Sequence, residues 1–206
     1  AQREDLTVTL VEPAAREALF EFSHLPGVTN AEPFRVVPVI LRAGHRSHRT
    51  QIQGFENSGE LHRALDADLQ PINLPQHGVL LTDHLGEKLG VGPGDLLRVE
   101  VLEGAQPVLD VPVAGLVSEF IGLSAYMEIS ALNRLMREGP SISGAYLAVD
   151  EAQLRGVFED LEGRPRVLGV AQREAAINAF YETMGRTILI FAFVNVLLAG
   201  SIAFGV

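Results

Sequence analysis

The sequence predicts an α+β fold in which a repeated β-α-β unit brackets a β-rich insertion, and an uncharged helix follows at the C-terminus. Three observations carry this expectation. A strand–helix–turn–strand pattern near the N-terminus returns without gaps 138 residues later. The stretch between the two copies is rich in glycine turns and alternating aliphatic runs. Every charged side chain lies between Arg3 and Arg186, and the last twenty positions carry none.

Leu6 to Val11 is β-branched and aliphatic, and Glu12-Pro13 is expected to end that strand. Pro13 suits a helix first turn, and Ala14 to Leu25 places Ala18, Leu19, Phe22 and Leu25 on one helical face. Pro26-Gly27 stops it. Val28 to Leu41 reads as a long strand, bent at Pro33 or Pro38, and Thr50 to Phe55 returns as its hairpin partner. In the second copy Ala145 to Val149 is a strand, Glu151 to Leu161 a helix and Val167 to Val170 a strand. Val11-Glu12 aligns with Val149-Asp150, Ala14 with Ala152, and Leu19-Phe20-Glu21 with Val157-Phe158-Glu159.

Two such units make a split-βαβ, ferredoxin-like lobe: one four-stranded antiparallel sheet with both helices on one face. Leu19, Phe22, Val157, Phe158 and Leu161 are then expected between helices and sheet. On that reading Phe158→Ala costs about 3–5 kcal/mol. This lobe is assigned 1–55 plus 141–171, and an inserted β-rich lobe 56–140. The insertion reads as a strand, a short helix over Asp83 to Leu89, a glycine turn and three further strands. Residues 172–186 have helical spacing at Ile177, Phe180, Tyr181 and Met184, and no proline follows Pro165. A stalk helix is expected there, with Gly185 as a candidate hinge.

Residues 187–206 have 15 apolar positions of 20 and no charge. Twenty helical residues reach about 30 Å, so a membrane-spanning helix is expected, with the chain an ectodomain cut from a longer membrane protein.

Composition narrows the function. The chain has 206 residues, is 47% hydrophobic and carries a net charge of −10, with 26 acids against 16 bases. Such a balance supplies a core and argues against nucleic acid as a partner. With no cysteine, there is no thiol nucleophile, thiolate metal site or disulfide. Gly122-Leu123-Ser124-Ala125-Tyr126 lacks the last glycine of a nucleophile elbow. The glycine run Gly90 to Asp95 follows a helix and precedes a strand, the reverse of a phosphate loop, and is read as a helix cap and turn. No metal or cofactor is expected in this chain, and no enzymatic activity.

Two features offer themselves to partners. The first is the basic hairpin tip, with Arg42, His45, Arg46, His48 and Arg49. Interleaved arginines disfavour a cation, so the tip is read as solvated, able to meet anionic lipid headgroups or an acidic partner. The second is Glu119 to Met127, whose Phe120, Ile121, Leu123, Tyr126 and Met127 obey neither the helical nor the strand period. It either folds inward as an irregular core segment or stands out as an apolar contact loop.

The chain resembles the extracytoplasmic domain of FtsX-like, MacB-type permease subunits of ABC transporters. Val11-Glu12-Pro13, Leu25-Pro26-Gly27-Val28, Glu32-Pro33-Phe34-Arg35, Leu89-Gly90-Val91, Pro93-Gly94-Asp95, Gly122 to Met127 and Ser143 to Leu147 carry the resemblance. It implies a ferredoxin-like porter lobe with a β-rich insertion, and ATP bound on a separate ATPase subunit that parts of the protein absent here would meet. It further implies the bacterial inner (cytoplasmic) membrane, with residues 1–186 extracytoplasmic. The domain would relay ATP-driven motion to a lipoprotein, peptide or amphiphile, directly or through a periplasmic adaptor protein. The alternative it leaves open is a regulatory ectodomain that activates a cell-wall hydrolase.

Overall fold

In a computed structural model, residues 3–65, 70–118 and 123–172 are described. Residues 1–170 form one compact unit. Its elements run β1 (Leu6–Ala15), α1 (Ala18–Ser23), β2 (Val28–Ala43), β3 (Arg46–Phe55), β4 (Val79–Thr82), α2 (Asp83–Leu89), β5 (Leu96–Val101), β6 (Val108–Val117), β7 (Ala125–Glu128), α3 (Ile129–Met136), β8 (Ser141–Val149), a 3-10 turn (Glu151–Gln153), α4 (Leu154–Glu162) and β9 (Val167–Gln172).

The strands follow the order β3-β7-β4-β6-β5-β2-β8-β1-β9, and β3 also pairs with β2. That extra pairing closes a ring of six strands, β2-β3-β7-β4-β6-β5, with β8, β1 and β9 extending from it. Ring closure removes the exposed edges that a small open sheet would leave. Val37, Val39, Leu41, Ile52, Leu81, Leu97, Val99 and Val113 are buried in one cluster with Leu85 and Leu89 of α2 and Leu132 and Met136 of α3. A second cluster lies on the extension: Leu6, Val8 and Leu10 of β1 and Ile142 and Leu147 of β8 meet Phe22 of α1 and Val157 and Leu161 of α4. Both helices therefore pack in one cluster with β1 and β8.

β2 serves both parts. Its first half, Val28 to Phe34, pairs with β8, while Val39 to Arg42 pairs with β5 and Phe34 to Ala43 with β3. The expected boundary after residue 55 thus leaves β3 and the second half of β2 on the wrong side of the ring that they help to close. The four strands β2-β8-β1-β9 are likewise part of a nine-stranded sheet rather than a sheet of their own. Neither proline bends β2 into two strands. Pro33 pairs with Ala145, and the Pro38 carbonyl accepts from Leu102 N at 2.9 Å.

Local chemistry explains the element ends. Asp83 opens α2 and Lys88 closes it, matching the helix dipole. Gly90 follows at φ +70°, with its N–H and that of Val91 both reaching Gly86 O. The glycine run beyond is a turn, closed by Gly92 N donating to Asp95 Oδ2 at 2.8 Å.

Three expectations need correction. β1 does not stop at Pro13: its ladder with β8 is interrupted between Thr9 and Ala14 and then resumes, so α1 begins only at Ala18. Val11 N turns instead to Arg166 O at 3.0 Å, and the donorless Pro13 is absorbed where β8 asks nothing of it. The insertion, expected to hold one helix, holds a second: β7, the last of the three strands after the glycine turn, is followed by α3. Glu128 caps it by accepting from Ala131 N at 3.0 Å, and Ile129, Leu132 and Met136 share its buried face. Phe158 is only half-buried, as is Leu19, while Phe22, Val157 and Leu161 are buried.

Candidate functional site

The hairpin tip is less free than its composition suggests. Arg42 Nε lies 2.5 Å from Glu100 Oε1 across the β2–β5 ladder. Arg46 Nη1 donates to Glu87 O at 3.3 Å, so its charge sits on the C-terminal carbonyls of α2. His48 is half-buried, and burial followed by the Lys88 ammonium holds its pKa below the ordinary value. His45 and Arg49 are exposed. Of the five basic residues, two serve the fold and one is disposed to be neutral near pH 7.

Tyr126 and Met127 are buried, as the inward-folded alternative has it, which corrects their place among the candidate partner contacts. They sit on β7, whose alternation turns Met127 into the ring core and Tyr126 outward beneath Ala64 and Leu74 of the 56–76 connection. Leu123 is half-buried and its carbonyl accepts from Thr50 Oγ1 at 2.8 Å. Phe120, Ile121 and Gly185 lie outside the described residues, as do the expected stalk over 173–186 and the expected span over 187–206. No described helix is long and apolar enough to cross a membrane. Among the described residues no group of three His, Asp or Glu is arranged to hold a metal ion.

Two polar assemblies escape sequence reasoning. In the first, Glu4 Oε1 lies 3.0 Å from His62 Nδ1, and the His62 ring stacks on Tyr146 with centroids 4.3 Å apart and planes at 8°. Phe34 packs on the same tyrosine at 4.7 Å. Arg3 N reaches Leu61 O at 2.7 Å, so the assembly pins the 56–76 connection to the N-terminus. In the second, the buried Arg35 guanidinium meets Glu103, Glu138 and Ser143. These partners stand 68 to 108 positions away in sequence, so no local pattern reveals them.

Burial, then the charge of Glu4, then Tyr126 push the Tyr146 phenol above its ordinary value. The folded state therefore holds this proton more tightly than the unfolded chain does. Stability from this group is complete below the unfolded pKa of about 10 and is lost as pH rises toward the higher folded value. Denaturant midpoints taken from about pH 8 to 11 should fall above pH ~10. The fall should be shallower in Tyr146→Phe, and equal slopes would dismiss the cause.

No family model matches the chain, and no curated protein does either. Solved structures do. The extracellular domain of the noncanonic ABC-type transporter YknZ from Gram-positive bacteria superposes with a TM-score of 0.51 at 13% identity, covering 82% of this chain and 99% of that one. The periplasmic region of MacB from Actinobacillus actinomycetemcomitans gives 0.51 at 12% identity, covering 85% and 91%. The fold is that of ABC-transporter ectodomains. Among the described residues neither the hairpin tip nor β7 forms a site with converging reactive groups. What the geometry offers is a closed ring and a helix-covered extension of the same sheet that share the strand β2.

Proposed function

We propose that the chain is the extracytoplasmic domain of an ABC-transporter permease and works as a mechanical relay. The observation that carries this is the shared fold, which spans 99% of the YknZ domain and 91% of the MacB region. In this reading β2-β8-β1-β9 with α1 and α4 is a split-βαβ porter lobe, and residues 187–206 enter the cytoplasmic membrane as a helix. ATP is hydrolysed on a separate subunit, and the ectodomain carries that motion to a lipoprotein, peptide or amphiphile at the outer face. No step in it requires catalysis by this chain.

This chain has no cysteine, so in a transporter cleared of any other cysteine Ser47→Cys places a single fluorophore at the exposed tip of the β2–β3 hairpin. In the intact transporter, trapping the ATPase with nucleotide and vanadate should change the emission of that label. Inserting Gly-Ser after Met184 should abolish the change and leave ATP hydrolysis largely intact. If no ATPase copurifies with the intact protein, the permease reading fails. A label that responds equally with and without the insertion reduces residues 173–186 to a tether.

A further inference from the structure

On one edge of β2 the backbone ladder has a gap. Pairing with β8 ends at Phe34, opposite Gly144, and pairing with β5 begins only at Val39, opposite Val101. Between them the Val36 N–H and carbonyl face no strand. Side chains fill the gap: Val36 N donates to Ser143 Oγ at 3.0 Å, and the Ser143 hydroxyl lies 3.3 Å from Val36 O. Pro38, which has no N–H to satisfy, occupies the next position on that edge.

Here the structure buries a guanidinium. Arg35 is 1% exposed. Its Nη1 donates to Val36 O and Ser143 Oγ, both at 3.0 Å, and its Nη2 meets Glu103 and, at 3.2 Å, Glu138. Glu103 belongs to the turn joining β5 to β6, on the ring side, and Glu138 to the link between α3 and β8; α3 places Leu132 and Met136 in the ring core and Ile129 in the other. Ser143 belongs to β8, in the helix-covered extension. One planar fork thus binds both sides of a break in the ladder. A buried charge is costly to desolvate and is held only where several partners surround it. Truncating it leaves two carboxylates without their cation, at a break where the Pro38–Leu102 backbone bond closes only the ring side.

We propose that Arg35 is a latch across this seam, which makes the ring and the helix-covered extension turn as one body. α3 and the Glu4–His62 contact also cross between the two parts, but neither reaches residues 35–38, where β2 keeps β3 as its only strand partner. The latch is a property of the domain itself. Its place in transport rests on the relay reading above.

The test uses the whole chain in detergent micelles with spin labels on Ser47→Cys, at the ring's hairpin tip, and Glu162→Cys, at the end of α4. The otherwise wild-type chain should show one narrow distance distribution. Arg35→Met should broaden it at least twofold or split it, with an unchanged far-ultraviolet circular dichroism spectrum. The paired variant Glu103→Gln with Glu138→Gln keeps Arg35 and its bonds to Val36 and Ser143, and should broaden the distribution less. A folded Arg35→Met chain with the wild-type width overturns the latch. If Arg35→Met does not fold, the paired variant decides: a wild-type width there overturns it equally. A confirmed latch with no vanadate response at Ser47 would discredit the relay and leave the seam assignment intact.

Discussion

Gly144→Ala is expected to destabilise the fold by about 3 kcal/mol, at the upper end of overpacking costs. Gly144 lies in the middle of β8, opposite Thr9 of β1 on one side and Phe34 of β2 on the other. A Cβ there would run into the Val8 carbonyl oxygen and come within 2.6 Å of the Phe34 ring. The carbonyl is backbone in a paired strand and cannot swing aside. The ring is held against Tyr146 with centroids 4.7 Å apart, so its retreat would disturb the stack with His62 as well. Urea unfolding should show a lower midpoint with an unchanged slope. Gly92→Ala is the control, because a Cβ at that position meets nothing within 4 Å and should change stability by no more than about 0.5 kcal/mol.

Phe22→Ala should cost about 3–5 kcal/mol, the range for emptying a buried phenylalanine site. Phe22 is the one buried residue of α1 and packs against β1, β8 and α4 in the second core. Its removal would also loosen a helix of six residues that has no capping side chain to hold it. Phe158→Ala should cost only about 1–2 kcal/mol, because a half-buried ring recovers part of its transfer free energy from solvent. Equal losses for the two variants would mean that α4 packs more deeply than its half-exposed phenylalanine indicates.

Phe158 shows where periodicity stops being informative. Helical spacing identifies a face, and Val157 and Leu161 are buried on it as expected. The depth of a flanking position depends on how a neighbouring element covers it. Phe20, the partner of Phe158 in the repeat, is 66% exposed. α2 was legible to the residue, because Asp83, Lys88 and Gly90 mark both ends with local chemistry. α3 has local marks of the same kind, with Glu128 at the cap and then Ile129, Leu132 and Met136 at helical spacing. Tyr126 and Met127 alternate between two different cores, so the segment has no single apolar face to betray a strand.

The sequence by itself determined the elements whose causes are local: the repeated β-α-β pattern, α2 with its caps, the long β2 and the β2–β3 hairpin. Their determinants lie within a turn or two of the residues that they shape. Only the tertiary structure decided that β3 closes a ring through β7 and β2, that β2 belongs to both parts, and that Arg35 sits in the gap between its successive partners. Each depends on pairing segments about 55 to 120 residues apart, such as Ile52 with Ala125 or Val28 with Val149. Such contacts leave no period in the chain, because the residues involved answer to the partner strand and not to their neighbours in sequence. The buried guanidinium makes the point most sharply. In sequence Arg35 is one of fifteen arginines, and only the folded chain surrounds it with two carboxylates, a serine and a carbonyl that make its burial possible.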